Sequence, residues 1–411
     1  MRPRYRWTIL ALLFVVTTIN YVDRQVLGIL APTLQRELSW SESQYGDVVS
    51  WFSLVYAFGF LLAGRWLDRV GVRRGFATAV VVWSLAAIGH ALARTTAAFS
   101  AARALLGLGE SANFPGAIKT VAEWFPKDER ALATGIFNAG TNTGAIITPL
   151  LVPWIALTWG WRWAFVITGS FGFVWLVVWL ALYRDNTLTS EPDEALRLQR
   201  SDSTSWLRLL TFRQTWAIVV GKLMADPIWW FYLYWLPKFL DAKYGIKLAQ
   251  VALPLIVVYL VADVGSIAGG WLSSGLLKRG WTVNRARKTA MLLMAVVIVP
   301  TALAPRAGSL WTAVLIVSVA AAAHQGWSAN VYTLASDMFP RSTVASISGI
   351  GGFAGAMGGV LFQRLTGRIL DATGNDYGII FAVCGFAYVT AWLLIHLLAP
   401  TLEPARLENQ V

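Results

Sequence analysis

Cysteine is nearly absent from this sequence: Cys384 is the only one, so no disulfide can close within the chain and thiol redox chemistry has no second group to work with. Histidine is scarce as well. His90, His324 and His396 stand far apart and at no metal-ligand spacing, so no metal centre is read. No nucleophile accompanied by a base and no glycine-rich phosphate loop emerges, so the residues support neither an enzyme nor a bound cofactor. Charge is the third shortage. Only 14% of the 411 residues are charged while 56% are hydrophobic, and a mean hydropathy of +0.56 excludes an ordinary soluble domain. Polar stretches are also missing, apart from one at residues 183–206.

What is present is a succession of apolar runs, each long enough to cross about 30 Å of hydrocarbon. They lie near residues 8–32, 45–64, 75–93, 97–123, 131–157, 162–183, 214–237, 248–274, 289–305, 309–337, 343–363 and 377–399, which predicts an all-α polytopic membrane protein of twelve transmembrane helices. The opening MRPRYR with its apolar run is read as a retained first helix, because no small-residue cleavage site follows and the run continues to Pro32. The net charge of +12 needs no acidic partner. With both termini in the cytoplasm, the inner loops and tails hold more than twice as many Lys and Arg as the outer loops, which is the positive-inside pattern of an inner (plasma) membrane protein. Nucleic acid is therefore not an expected partner; the lipid bilayer is.

The polar stretch divides the chain nearly in half, and the halves share a plan. At an offset of 205, Pro32 falls on Pro237, each expected to end the first helix of its half, and GRWL (64–67) falls on GGWL (269–272). At an offset of 214, WFPKDERALATGI (124–136) meets MFPRSTVASISGI (338–350), and SAN occurs in both halves at 111–113 and 328–330. The kept order argues duplication of a six-helix unit. The expected organisation is an N-terminal six-helix bundle over 1–183, a cytoplasmic linker over 184–212 and a pseudo-symmetric C-terminal bundle over 213–411.

GRWLDRVGVRR (64–74) resembles the loop signature between the second and third helices of the major facilitator superfamily. Gly64 permits close helix approach, while Asp68, Arg69, Arg73 and Arg74 supply charge pairs and helix-end contacts suited to a gating latch. Val72 stands where a basic residue is common. The second copy has Ser273 and Ser274 at the acid and arginine positions, so the latch is expected mainly in the first half. NYVDRQVLGILAP (20–32), GLGESANFPGAIKTVAEWFP (107–126), FNAGTNTGAIITP (137–149), WRWAF (161–165) and DPIWWFYLYWLPKFL (226–240) together look like the anion:cation symporter family, and most like its hexuronate branch. That resemblance implies the major facilitator fold and uptake of an organic anion together with protons. It further implies that the arginine of the N-Y-x-D-R stretch, Arg24, holds the substrate, with Asp23 and Glu110 carrying protons.

The residues support that reading independently. A charged side chain at a helix centre costs about 2.5 to 3.5 kcal/mol, so Asp23 and Arg24 persist in the first run only where they face protein or a watery cavity. The fourth run adds Arg103 and Glu110, seven residues apart and nearly on one helix face. Arg24 is expected to face the cavity, with Asn20 and Tyr21 on its side, and Asp23 to turn toward a neighbouring helix. A guanidinium fork suits a sugar acid's carboxylate, and Arg103 adds a second such group. A carboxylate near that fork loses its support when the substrate takes over the arginine, so substrate and proton favour each other.

For the sugar hydroxyls the candidates are Tyr56, Asn138, Asn142, Trp230, His324, Trp327 and Asn330, each equally readable as helix packing. Trp235, beside Pro237 and Lys238, reads as interfacial belt. Lys222 and Asp226, four apart, read as a mutually neutralising pair or as functional, and Asp263 is left open. Gly140 with Gly144, and Gly351, Gly355 and Gly359, are read as close helix crossings, and Pro149, Pro153, Pro227 and Pro254 as kinks. Together these features predict a monomeric proton-coupled hexuronate importer working by alternating access. Transport of open-chain aldonates is the runner-up. Export of cationic drugs fits two buried arginines poorly.

Overall fold

The computed structural model describes residues 5–125, 130–184, 206–339 and 341–405, and no strand occurs among them. In chain order the helices are α1 (Tyr5–Leu38), α2 (Glu42–Val70), α3 (Val72–Leu92), α4 (Thr96–Glu110), α5 (Asn113–Trp124), α6 (Arg130–Trp159), α7 (Trp161–Leu182), a single turn α8 (Trp206–Leu209), α9 (Arg213–Tyr244), α10 (Ala252–Lys278), α11 (Val283–Ile298) continued by a 3-10 segment (Val299–Arg306), α12 (Leu310–Met338), α13 (Arg341–Thr373) and α14 (Gly378–Leu398). Nine spans among the described residues are long and apolar enough to cross a membrane. The remaining three expected spans are the broken pair α4–α5 and the helices α9 and α13. Large apolar side chains such as Leu62, Leu92, Leu157, Val177, Ile267 and Trp271 stay uncovered on the helices, as contact with hydrocarbon requires.

The chain divides into two compact units: Met1–Glu191 with Phe231–Ile256 and Val360–Asn375, and Pro192–Trp230 with Val257–Gly359 and Asp376–Val411. Both α9 and α13 therefore begin in the second unit and end in the first.

In the first unit α1 packs on α6, α2 on α4, and α3 on α4 and α7. A Cβ on Gly140 would come within 2.5 Å of the Phe14 carbonyl oxygen and one on Gly144 within 2.7 Å of the Thr18 carbonyl, so these glycines let α6 lie directly on the backbone of α1. Aromatic rings fill the space between α3 and α7: Trp175 and Trp179 stack with centroids 4.9 Å apart, and Trp179 stacks on Tyr183 at 4.2 Å. Local sequence sets the helix ends. Ser41 and Gln44 form a capping box at the start of α2, and Thr95 accepts from the Ala98 N–H at the start of α4. Gly71, with φ +83°, makes the hairpin between α2 and α3.

Several expected boundaries are corrected. The 97–123 run is not one helix: it breaks at Ser111 and Ala112, because Pro115 withholds the N–H that would bond the Ser111 carbonyl, and the Ser111 hydroxyl bonds Leu108 O at 2.7 Å instead. Pro32 and Pro237 do not end helices; α1 and α9 continue through them to Leu38 and Tyr244. Pro254 lies in the first turn of α10, where its missing N–H breaks no helical bond, so it is no kink. The 289–305 run begins as α11 but loosens to 3-10 geometry around Pro300 and Pro305.

In the second unit α12 crosses α10 at near backbone contact, since a Cβ on Gly265 or Gly269 would overlap Ala322 or Gly326. The 3-10 segment and α11 pack on α14. Lys288 of α11 closes the end of α14 by donating to the carbonyls of Ala399 (2.6 Å) and Pro400 (2.7 Å).

Candidate functional site

The four charges expected inside the first unit are all buried there: Asp23, Arg24, Arg103 and Glu110 are each at most 3% exposed. Their pairing crosses between helices. Arg24 on α1 meets Glu110 at the end of α4, Nε to Oε2 at 2.9 Å and Nη2 to Oε2 at 2.8 Å, and Nη2 also donates to Asn20 Oδ1 at 3.2 Å. The rings of Tyr21 (4.7 Å), Phe52 (5.0 Å) and Tyr56 (5.0 Å) surround its guanidinium. Arg103 and Glu110, nearly on one face of α4, do not pair with each other. Seven residues carry side chains about 10.5 Å apart along a helix, whereas Arg24 lies level with Glu110 on the facing helix. Arg103 instead lies between Phe52 (4.6 Å) and Tyr234 (5.4 Å) and donates from Nη1 to the Arg24 carbonyl at 3.3 Å.

Asp23 points away from Arg24, toward Thr168 of α7, as consecutive helical residues must. Glu110 Oε1 is buried without a hydrogen-bond partner, and the buried Asp23 carboxylate faces the Thr168 hydroxyl.

Other expected contributors in this unit are less enclosed. Tyr21 and Tyr56 are half-buried, and on α6 Asn138 is exposed and Asn142 half-buried, one turn apart on one face. Of the latch, Arg69 and Arg74 are exposed, and Arg73 donates to the Leu180 carbonyl at 2.8 Å while its own carbonyl accepts from Trp179. The Asp68 side chain lies outside the described residues.

One group of contacts escaped the sequence. The ends of α9 and α13 that belong to the first unit grip the start of α2. Asp371 accepts from the backbone N–H groups of Glu42 and Ser43, both at 2.9 Å, Lys238 pairs with Glu42, and Arg364 pairs with Asp47 at 3.2 Å. Tyr45 donates to the Tyr234 carbonyl at 2.6 Å, and Trp235 donates to Gln363. Trp235 is thus fully buried and not interfacial: its indole N–H found a partner inside the protein, where the belt reading placed it in lipid headgroups.

In the second unit, Lys222 and Asp226 of α9 form an ion pair at 2.8 Å. His324 is buried, stacked on Trp229 with ring centroids 5.4 Å apart, and its Nδ1 lies 2.5 Å from the Tyr388 hydroxyl. Trp327 is fully buried with its ring edge-on to Tyr388, and Asn330 spends its amide on the Gly269 and Gly326 carbonyls at 3.3 and 2.9 Å. All three make these contacts within the second unit, while Trp230 on α9 and Asp263 on α10 are half-buried. The second unit also carries a charged cluster around Ser273, the position where the first half has Asp68. Arg287 donates to Asp337 at 3.0 Å and to Ser273 at 2.9 Å, tying α11 to α12 and α10. The 214 offset carried the signal: it lays Glu123 onto Asp337.

Residues 13–363 match the family model described as Major Facilitator Superfamily. The Hexuronate transporter of Escherichia coli (strain K12) is 32% identical over 392 residues, covering 92% of this chain and 90% of that protein. The Galacturonate transporter of Dickeya chrysanthemi is 32% identical over 309 residues, 72% of this chain and 89% of that protein. Among solved structures, a bacterial homolog of the human lysosomal transporter Spinster superposes with a TM-score of 0.77 at 20% identity, over 97% of this chain and 96% of the other.

Proposed function

Because the chain belongs to the major facilitator superfamily, we propose that it is a proton-coupled symporter that imports hexuronates such as glucuronate and galacturonate across the inner membrane by alternating access. It is a multi-pass membrane transporter and not an enzyme, as its family is. The observation that carries the reading is the buried Arg24–Glu110 pair inside a ring of aromatic side chains, in a chain whose relatives move sugar acids.

The chemistry follows from charge balance. Glu110 occupies one fork of the Arg24 guanidinium, the donors of Nε and Nη2. A guest carboxylate takes that fork at low cost only when Glu110 is neutralised, since two carboxylates crowded on one buried guanidinium repel. A proton on Glu110 therefore prepares Arg24 for the substrate, and departure of either one favours departure of the other. Asp23, buried beside the same helix pair, is a second place for a proton. Tyr21, Tyr56, Arg103, Asn138 and Asn142 provide further contacts in the first unit, and the protein works as a monomer with both termini in the cytoplasm.

The test is uptake of labelled glucuronate into proteoliposomes with an imposed pH gradient, acid outside. Accumulation above that of empty vesicles, abolished when the gradient is collapsed, is expected. Arg24→Lys, which keeps the charge and loses the fork, is expected to weaken binding by about 1.5–3 kcal/mol, roughly 10- to 150-fold in Kd. Uptake no faster than in empty vesicles, or equal uptake of a neutral sugar, overturns the proposal.

A further inference from the structure

Five cations crowd the turn between α10 and α11: Lys278, Arg279, Arg285, Arg287 and Lys288. No aspartate or glutamate occurs between Asp263 and Asp337, so the turn has no acid of its own. Two of the five are spent inside the unit. Asp337 and Ser273 hold Arg287, and the carbonyls of Ala399 and Pro400 hold Lys288. Lys278, Arg279 and Arg285 stay exposed, and none of them forms an ion pair among the described residues.

Their places on the helices relate them to the hydrocarbon. Along α10 the uncovered apolar residues Leu260, Val264, Ile267 and Trp271 recur every three or four residues, and Lys278, seven after Trp271, ends that stripe. Along α11 the uncovered residues are Thr289, Leu293 and Val296, and Arg285, three turns before Val296 on the same face, ends theirs. Only four residues separate the two helices, and Gly280, at φ +84°, turns the chain sharply between them. The two stripes therefore finish in cations side by side and at one membrane level. Trp281 stands in the turn itself, with its ring 4.1 Å from the Arg285 guanidinium.

Topology asks only for positive charge somewhere on the inner side; it does not ask that cations end hydrocarbon-facing stripes or that an indole brace one of them. A phosphodiester does. Its two unesterified oxygens suit a guanidinium fork and an ammonium, its depth is that at which tryptophan settles, and its acyl chains cover the apolar residues that lead away from it. We infer that Lys278, Arg285 and Trp281, with Arg279, form a site for the headgroup of an anionic phospholipid, in the leaflet that the predicted orientation makes the cytoplasmic one.

The experiment is native mass spectrometry of the purified full chain in detergent, with phosphatidylglycerol or phosphatidylcholine of the same acyl chains. Wild-type protein is expected to bind phosphatidylglycerol the more tightly. The double variant Lys278→Gln with Arg285→Gln is expected to bind it about 25-fold more weakly, a factor of about five for each cation. Trp281→Ala is expected to weaken it in the same direction. Arg69→Gln with Arg74→Gln removes two exposed cations from the first unit and is expected to bind as the wild type does, which separates a site from the pull of any positive surface. Glycerol 3-phosphate, which has the phosphate without the chains, is expected not to displace the lipid. Undiminished binding by the Lys278/Arg285 variant, an equal loss in the Arg69/Arg74 variant, no preference over phosphatidylcholine, or displacement by glycerol 3-phosphate overturns the inference. None of these readouts involves uptake of glucuronate, so the failure of this inference and that of the proposed function are told apart.

Discussion

Glu110 holds Arg24 through one oxygen and buries the other, Oε1, without a hydrogen bond. In the proposed mechanism Oε2 keeps the contact with Arg24 and Oε1 takes the proton. Glutamine keeps an oxygen for Arg24 and cannot titrate, so Glu110→Gln separates the two roles. With this variant, accumulation of glucuronate against its gradient is expected to fall to the level of a collapsed pH gradient, while exchange of labelled for unlabelled substrate continues. Accumulation that survives removes Glu110 from proton coupling. The sequence disclosed the presence of these charges because Asp23, Arg24, Arg103 and Glu110 interrupt runs that are otherwise apolar. It did not disclose who pairs with whom. Spacing along α4 brought Arg103 and Glu110 to one face, but the partner that reaches Glu110 comes from α1, and only the packing of α1, α2 and α4 decides that.

At the scale of elements, small residues place the site as much as charged ones do. Gly144 of α6 meets α1 at the level of the candidate site: a Cβ there would come within 2.7 Å of both the Thr18 carbonyl and Tyr21 Cβ. Tyr21 in turn lies under the Arg24 guanidinium at 4.7 Å. Gly144→Ile is therefore expected to cost about 1–3 kcal/mol of stability by overpacking, and also to weaken glucuronate binding through the displaced Tyr21. A lowered Tm together with a raised half-saturation concentration checks it; a lowered Tm with unchanged binding severs the link between this crossing and the site. The four-residue glycine spacing was legible in the sequence. The break at Ser111 was not, because residues 97–123 stay apolar and the hydropathy signal does not register one missing N–H at Pro115. Nor was the grip of Lys238, Arg364 and Asp371 on the start of α2, since its members come from three distant segments and are joined only by tertiary packing.

At the scale of the whole molecule, hydrocarbon thickness fixes the length of each span, so the spans were the most readable property of the chain, and the distribution of Lys and Arg predicts that both termini face the cytoplasm. The orientation can be measured directly because the only cysteine, Cys384, is fully buried and offers a maleimide no accessible thiol. Arg279, at the turn between α10 and α11, and Ala372, in the last turn of α13, are both exposed. Helices that alternate direction from a cytoplasmic N-terminus put Arg279 inside and Ala372 outside. In intact cells a membrane-impermeant maleimide is expected to label Ala372→Cys at once and Arg279→Cys only after permeabilisation, with the native chain unlabelled throughout. The reverse order of labelling inverts the topology, and with it the direction in which a proton gradient drives the guest.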